Sequence, residues 1–264
     1  MIPADQWSKV IKMRFNYLKV FTQDYALGKL LSLVWSLYEM LVLLVSKPSG
    51  ELWMLFGLVF QIKPKYSMLS TIRLITLYKL IRQAEQFGLK GDIVECGVWN
   101  GGAAAMMARS CRDAGSGNGR TIWLFDSFEG LPPPGEKDGK SIVEHYFKGL
   151  CKGDLENVKA IFNKLGVPFD NVKVVKGWIN DTLKANTIDR LVLLHIDTDW
   201  YDSVKSSLEY LYDKVVAGGF IVVDDFLVHE GCRKAVLDFL KERGLEDKVK
   251  IVKVDRSAVY FQKV

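Results

Sequence analysis

The alternation of short apolar runs with helical stretches predicts an α/β protein built on a mostly parallel, doubly wound sheet. Three observations carry that reading. Residues 191–196 and 220–223 are apolar β-type runs on either side of one helical segment. Such a strand–helix–strand unit makes the two strands parallel neighbours through a right-handed crossover. Earlier apolar runs at 92–96, 121–125 and 172–175 precede further loop and helix steps, giving five β/α steps in all. Runs 248–254 and 258–262, joined by Asp255-Arg256-Ser257, read as a closing hairpin, so the last strand is reversed.

Taken in order, the first 66 residues differ from the rest and read as an apolar, helical N-terminal extension; residues 67–264 form the sheet domain. Residues 1–24 mix Lys9, Lys12, Arg14 and Lys19 with apolar side chains. Residues 27–45 are almost entirely apolar, Pro48-Ser49-Gly50 marks a turn, and residues 52–62 are apolar again. No cleavage site of small residues follows, which argues against a signal peptide. The run 30–45 is short of the ~20 residues a spanning helix needs, and Glu39 interrupts it. Burial against the sheet domain or a second subunit is the expectation, hence a homo-oligomer. A surface-lying peripheral membrane helix is the alternative.

Residues 68–87 have helical spacing and Gly88 can end that helix. The first core strand, 92–96, leads into Glu95-Cys96-Gly97-Val98-Trp99-Asn100-Gly101-Gly102 and a small-residue helix at 103–110. An acid at a strand end, a glycine turn and a small-residue helix start suit a nucleotide-type ligand. Gly97 would let the backbone approach that ligand, and Gly101 and Gly102 leave room at the helix start. The spacing is not G-x-G-x-x-G, so an adenosyl ligand without a pyrophosphate fits better than a dinucleotide. The second strand ends in Asp126-Ser127, where an acid can accept from a ribose diol; a helix cap is the plainer reading of Asp126. Residues 131–153, rich in Pro and Gly, form a long loop expected to border the substrate. His145 within it has no evident partner. Residues 155–165 read as a helix. Trp178, after the third strand, either covers a purine or packs in the core.

The acids that follow are the strongest chemical signal. Asp197 and Asp199 end the strand at 191–196, and Asp224 and Asp225 end the strand at 220–223. A helix at 203–215, stopped by Gly218-Gly219, joins them. Parallel neighbours place all four carboxylates at one edge, where mutual repulsion makes full ionisation costly. A divalent cation relieves this, and all-oxygen ligands suit magnesium, calcium or manganese. As ordinary loop residues or caps, two pairs of acids are harder to explain than one Asp.

Composition limits the alternatives. With 264 residues, 49% of them hydrophobic, the chain can build one large core plus an extension, and disorder is not expected. The formal net charge of +5 comes without a long basic run or an RNA-binding aromatic signature, so no nucleic-acid partner is expected. Cys96, Cys111, Cys151 and Cys232 form no Cys-x-x-Cys, which argues against structural zinc and fits a reduced, cytoplasmic setting.

Together, Glu95-Cys-Gly-Val-Trp-x-Gly-Gly, Asp126-Ser-Phe-x-Gly, Gly177-Trp, Asp197-x-Asp199-x-Tyr201 and Gly218-Gly-x-x-x-Val-Asp224-Asp225 resemble the macrocin O-methyltransferase family over about residues 66–262. The resemblance implies a seven-stranded, Rossmann-like methyltransferase sheet. It implies transfer of a methyl group from S-adenosylmethionine to a sugar hydroxyl of a glycosylated product or saccharide, with magnesium. Carried over by motif, Asp197, Asp224 and Asp225 hold the Mg2+ and Asp199 is the general base. Glu95, Gly97, Trp99, Gly101, Gly102, Asp126, Ser127 and Trp178 surround the methyl donor. His195, inside its strand, reads as a buried supporting residue, and His229 as a second candidate on the substrate side. The rival readings are an NAD-dependent oxidoreductase, disfavoured by the glycine spacing, and a non-catalytic membrane-associated assembly protein, which has no use for four aligned acids.

Overall fold

The computed structural model describes residues 34, 36–41, 49–115, 119–139 and 146–264. Residues 1–24, most of the apolar run 27–45, and His145 lie outside the described residues. The chain divides into two compact units, 1–49 and 50–264. In the first, residues 36–41 are helical. Among the described residues no helix is long and apolar enough to cross a membrane.

The second unit opens with helix α1, Gly50–Ile62, which buries Leu55, Phe56, Val59 and Ile62 and leaves Trp53 and Phe60 exposed. Helix α2, Thr71–Gln86, starts at Ser70, whose side chain accepts from the N–H of Arg73. Such a cap satisfies one of the free donors of a first turn. Gly88, at φ 65°, turns the chain away just past its end, as the sequence led one to expect.

Strands β1 (Asp92–Cys96), β2 (Ile122–Asp126), β3 (Val172–Lys176), β4 (Leu191–Ile196) and β5 (Val215–Val223) follow, then β6 (Val252–Lys253) and β7 (Val259–Gln262). They form one seven-stranded sheet in the order β3-β2-β1-β4-β5-β7-β6. The first five are parallel, and β7 alone is reversed between β5 and β6. The strand order reverses between β1 and β4, and open α/β sheets bind ligands outside such a switch point. Helices α3 (Gly102–Asp113), α4 (Leu155–Lys164), α5 (Ile179–Thr182), α6 (Tyr201–Leu211) and α7 (Glu230–Glu242) complete the unit. β4 is buried along its whole length, as a strand covered on both faces must be. Val94, Cys96, Leu194 and Ile196 pack with Val204 and Leu208 of α6 and Val236 and Phe239 of α7.

One expectation is corrected. The helix placed at 203–215 ends at Leu211, and a 3-10 turn, Tyr212–Lys214, leads directly into β5. Gly218-Gly219 therefore do not stop a helix; they lie inside β5. Pairing with β4 jumps from Leu191↔Val215 to Leu193↔Phe220 across them. Gly218, at φ 75°, donates to the Lys263 carbonyl, and the Gly219 carbonyl accepts from the Lys263 N–H, each at 2.9 Å. The pair is the device of a bulge, and β-branched Val215-Val216 before it favour strand over helix.

Candidate active site at the carboxyl edge of the sheet

The parallel register brings the four predicted acids together. Ile196 of β4 stands opposite Val223 of β5, so Asp197 and Asp224 emerge side by side. The Asp224 N–H donates to the Ile196 carbonyl at 2.9 Å, locking that alignment. Candidate ligand atoms of His195, Asp197 and Asp224 all lie within 4.8 Å of one another, as do those of Asp199, Asp225 and His229. Loss of water contact pushes the Asp197 carboxyl well above its ordinary range, and Asp224 and Asp225 push it further. Buried Asp224 Oδ1 has no hydrogen-bond partner among the described residues. An oxygen-rich group of mutually repelling carboxylates with one such orphan oxygen fits a hard divalent cation.

Asp199 has φ 60°, a left-handed conformation rare for a residue with a side chain but tolerated by Asp. Its Oδ1 lies 3.7 Å from His229 Nε2, and Asp225 Oδ1 lies 3.6 Å from the same nitrogen. The Trp200 ring stands edge-on to the His229 ring at 6.1 Å.

Behind the acids lies a buried pair. Glu95 and His195 are register partners on β1 and β4, and both are buried. Glu95 Oε1 and His195 Nδ1 are 3.0 Å apart. His195 Nε2 faces Asp224 Oδ1 at 3.9 Å, an ion-pair separation too long for a hydrogen bond. Burial lowers the histidine's proton affinity, but the carboxylates on its two nitrogens prevail and raise its pKa to about 10. Burial pushes the Glu95 carboxyl up, against the His195 contact. His195 is thus buried, as expected, with Nε2 turned toward Asp224. Glu95 spends one oxygen on His195 instead of facing solvent, a placement that only the pairing of β1 with β4 reveals.

The turn after β1 is built by close approaches within the chain. Gly97 has φ 85°, and a Cβ there would lie 1.9 Å from the Asp197 carbonyl oxygen. Gly101 and Gly102 make room for Val158 and for the Tyr66 carbonyl. Asp126 is not a helix cap. Its Oδ2 accepts from the N–H groups of Val98 and Trp99 at 2.7 and 2.9 Å, and its Oδ1 from Phe128 at 2.6 Å. It therefore ties the end of β2 to the β1–α3 turn. Ser127 is spent locally, its oxygen accepting from the Glu129 N–H and its hydroxyl donating to the Gly130 carbonyl. Trp99, at φ 49°, is held by a 3.1 Å bond from its indole N–H to the Lys152 carbonyl. Trp178 occupies the position before the first turn of α5 and is 39% exposed, so the core-packing reading fails.

Three participants escaped sequence reasoning. Arg73 of α2 forms ion pairs with Asp224 and Asp255. Ser257, in the β6–β7 turn, meets the Asp224 carbonyl and Asp225 Oδ1, each at 3.0 Å. Asp138, buried in the Pro-rich loop, accepts from the N–H of Tyr201 at 2.6 Å and from that of Gly135 at 2.7 Å. It caps α6 from outside that helix, two residues after Asp199, and the Trp200 indole N–H donates to the Pro132 carbonyl at 2.8 Å. The long loop is thereby fastened to the acidic edge. Nothing in spacing marks Arg73 or Ser257; for Asp138 the signal is the loop's length.

A family model described as macrocin-O-methyltransferase (TylF) matches residues 62–263. The 8-demethyl-8-(2,3-dimethoxy-alpha-L-rhamnosyl)-tetracenomycin-C 4'-O-methyltransferase of Streptomyces olivaceus is 32% identical over 200 residues, 75% of each chain. The mycinamicin III 3''-O-methyltransferase of Micromonospora griseorubida is 32% identical over 203 residues, 75% of this chain and 78% of its own. The solved structure of the O-methyltransferase NovP superposes with a TM-score of 0.69 at 32% identity, covering 75% of this chain and 82% of that one.

Proposed function

The chain belongs to the macrocin-O-methyltransferase family, and we propose that it moves a methyl group from S-adenosylmethionine to a hydroxyl of a glycosylated small molecule or saccharide, with magnesium at the acceptor site. One observation carries the finer part of this reading: Asp197 and Asp224 emerge side by side from β4 and β5, with Asp225 and Asp199 gathered next to them around His229. Two relatives named for methylating a rhamnosyl-tetracenomycin and mycinamicin III support a glycosylated acceptor.

In this reading Asp197, Asp224 and Asp225 hold the cation. When bound, the cation lowers the pKa of the acceptor hydroxyl and fixes its lone pair, while the donor supplies an activated methyl group. Asp199 takes the hydroxyl proton as the oxygen attacks. His229 lies beside both Asp199 and Asp225 and positions them. His195 and Glu95 hold Asp224 from behind. On the donor side, Asp126, Ser127, Gly97, Gly101 and Gly102 shape the turn, and Glu95 closes its floor. Asp126 offers a remaining lone pair of Oδ1 to the ribose. Trp99 and Trp178 would flank an adenosyl group bound at this turn. Alignment of oxygen, methyl and sulfur is chiefly a positioning effect, so a fixed edge matters more than any single charge.

The test is methyl transfer from S-adenosylmethionine over a panel of glycosides, read by mass spectrometry, with and without EDTA. Turnover should stop with EDTA and return with Mg2+. Asp199→Asn should keep donor and Mg2+ binding while losing at least ~100-fold in turnover, since an amide cannot take the proton. A fully active Asp199→Asn protein would place the base elsewhere, with His229 next. Helix α1 belongs to the sheet unit, so the extension we read as serving a cytoplasmic homo-oligomer is residues 1–49. Light scattering and vesicle co-sedimentation test that against peripheral membrane contact.

A further inference from the structure

Arg73 belongs to none of the sequence motifs, yet it is fixed against the acidic edge from two sides. Its Nη1 donates to Asp224 Oδ2, and its Nε donates to Asp255 Oδ2 at 2.8 Å. The Ser70 hydroxyl, which caps the same helix, donates to the same Asp255 oxygen at 2.6 Å. Asp255 Oδ1 accepts from the N–H groups of Ser257 and Ala258, at 2.8 and 2.9 Å. Asp255 is thus fixed in the β6–β7 turn and holds the guanidinium beside Asp224. With Oδ2 of Asp224 taken, Oδ1, which faces His195 Nε2 at 3.9 Å without a hydrogen bond, is what that residue can offer a ligand.

We propose that Arg73 is a built-in counter-ion of the cation site: it presents Asp224 through one oxygen and offsets one carboxylate charge, so that a divalent cation binds weakly and exchangeably. The proposal rests on reading Asp197, Asp224 and Asp225 as that site. A purely structural clamp and a counter-ion predict opposite signs. If Arg73 only held Asp224 in place, neutralising it would loosen a ligand and weaken cation binding. As a fixed positive charge next to a ligand, it repels the incoming cation, and over such short distances inside a protein that repulsion is large. Neutralising it then tightens binding and slows cation exchange.

The experiment is Mn2+ binding to the full-length protein, followed by the electron paramagnetic resonance of free Mn2+. Wild type is compared with Arg73→Met, Arg73→Gln, Arg73→Lys and Asp225→Ala, each verified as folded by circular dichroism. Arg73→Met and Arg73→Gln should bind Mn2+ about tenfold more tightly or better, whereas Arg73→Lys, which keeps the charge, should stay within about threefold of wild type. Arg73→Gln, which can still hydrogen-bond Asp255, serves where Arg73→Met fails to fold. Unchanged or weaker Mn2+ binding in the neutral variants overturns the counter-ion. A wild-type protein whose Mn2+ binding is absent, or insensitive to Asp225→Ala, overturns the cation site itself and the counter-ion with it.

Discussion

Replacing Gly97 by alanine tests how the two halves of the site are joined. A Cβ on Gly97 would sit 1.9 Å from the Asp197 carbonyl oxygen, where real Cβ contacts stay beyond 3.0 Å. The ends of β1 and β4 must then part by roughly 1 Å, the gap between those two distances. The Asp197 N–H donates to the Cys96 carbonyl at 2.8 Å, and that bond lies directly in the path of the shift. Losing a buried hydrogen bond costs ~1–3 kcal/mol, and holding alanine at φ 85° adds ~1–2 kcal/mol. A total of ~2–5 kcal/mol is a large share of the 5–15 kcal/mol typical of a domain, so the protein should fold but weakly. Since Asp197 moves with its backbone, Mg2+ affinity should fall along with stability. Urea denaturation gives the first quantity and calorimetry with Mg2+ the second. A variant within ~1 kcal/mol of wild type that binds Mg2+ normally would refute the close approach of β1 and β4 as the reason for this glycine.

Other perturbations follow from the same geometry. Asp126→Ala leaves the N–H groups of Val98, Trp99 and Phe128 without their acceptor, so it should cost ~2–4 kcal/mol of stability and weaken S-adenosylmethionine binding in calorimetry; unchanged donor affinity would move the donor away from this edge. Asp138→Ala removes the cap of α6 and the anchor of the Pro-rich loop, with an expected loss of ~2–3 kcal/mol in thermal or urea unfolding and a higher KM for the acceptor than for the donor. Asp255 carries the pH dependence. Burial opposes its ionisation, but Arg73, the N–H groups of Ala258 and Ser257, and the Ser70 hydroxyl hold its carboxyl below the usual range. Its folded pKa lies below its unfolded value, so its stabilisation is complete above the unfolded pKa of ~3.9 and disappears as pH falls through the folded pKa. Asp255→Asn should flatten the acid end of the stability curve, and an unchanged acid limb would count against the ion pair with Arg73.

Much of this protein is legible in its sequence because the signals are local. The spacing of apolar runs follows strand and helix periods, so the five β/α steps and the closing hairpin could be placed without coordinates. Acids at the ends of two successive parallel strands must share an edge, which is why Asp197, Asp199, Asp224 and Asp225 were found as one group. The motifs around them are contiguous and specific enough to name a family. Other features depend on distant segments. Whether Gly218-Gly219 ends a helix or bulges a strand depends on pairing with β4 and with Lys263, and a glycine pair suits both. The turn marks Glu95 as a site acid, but its contact with His195, 100 residues away, shows only in the pairing of β1 with β4. Asp126 was placed at the right edge, but its hydrogen bonds to the turn after β1 depend on how β1 and β2 align. Arg73 is one more cation on an amphipathic helix until α2 packs beside β4 and aims it at Asp224, 151 residues on. Periodicity fixes which face of an element is buried; which charged groups meet across two faces is set by the packing angle and register of whole elements, and that is decided only when the sheet closes.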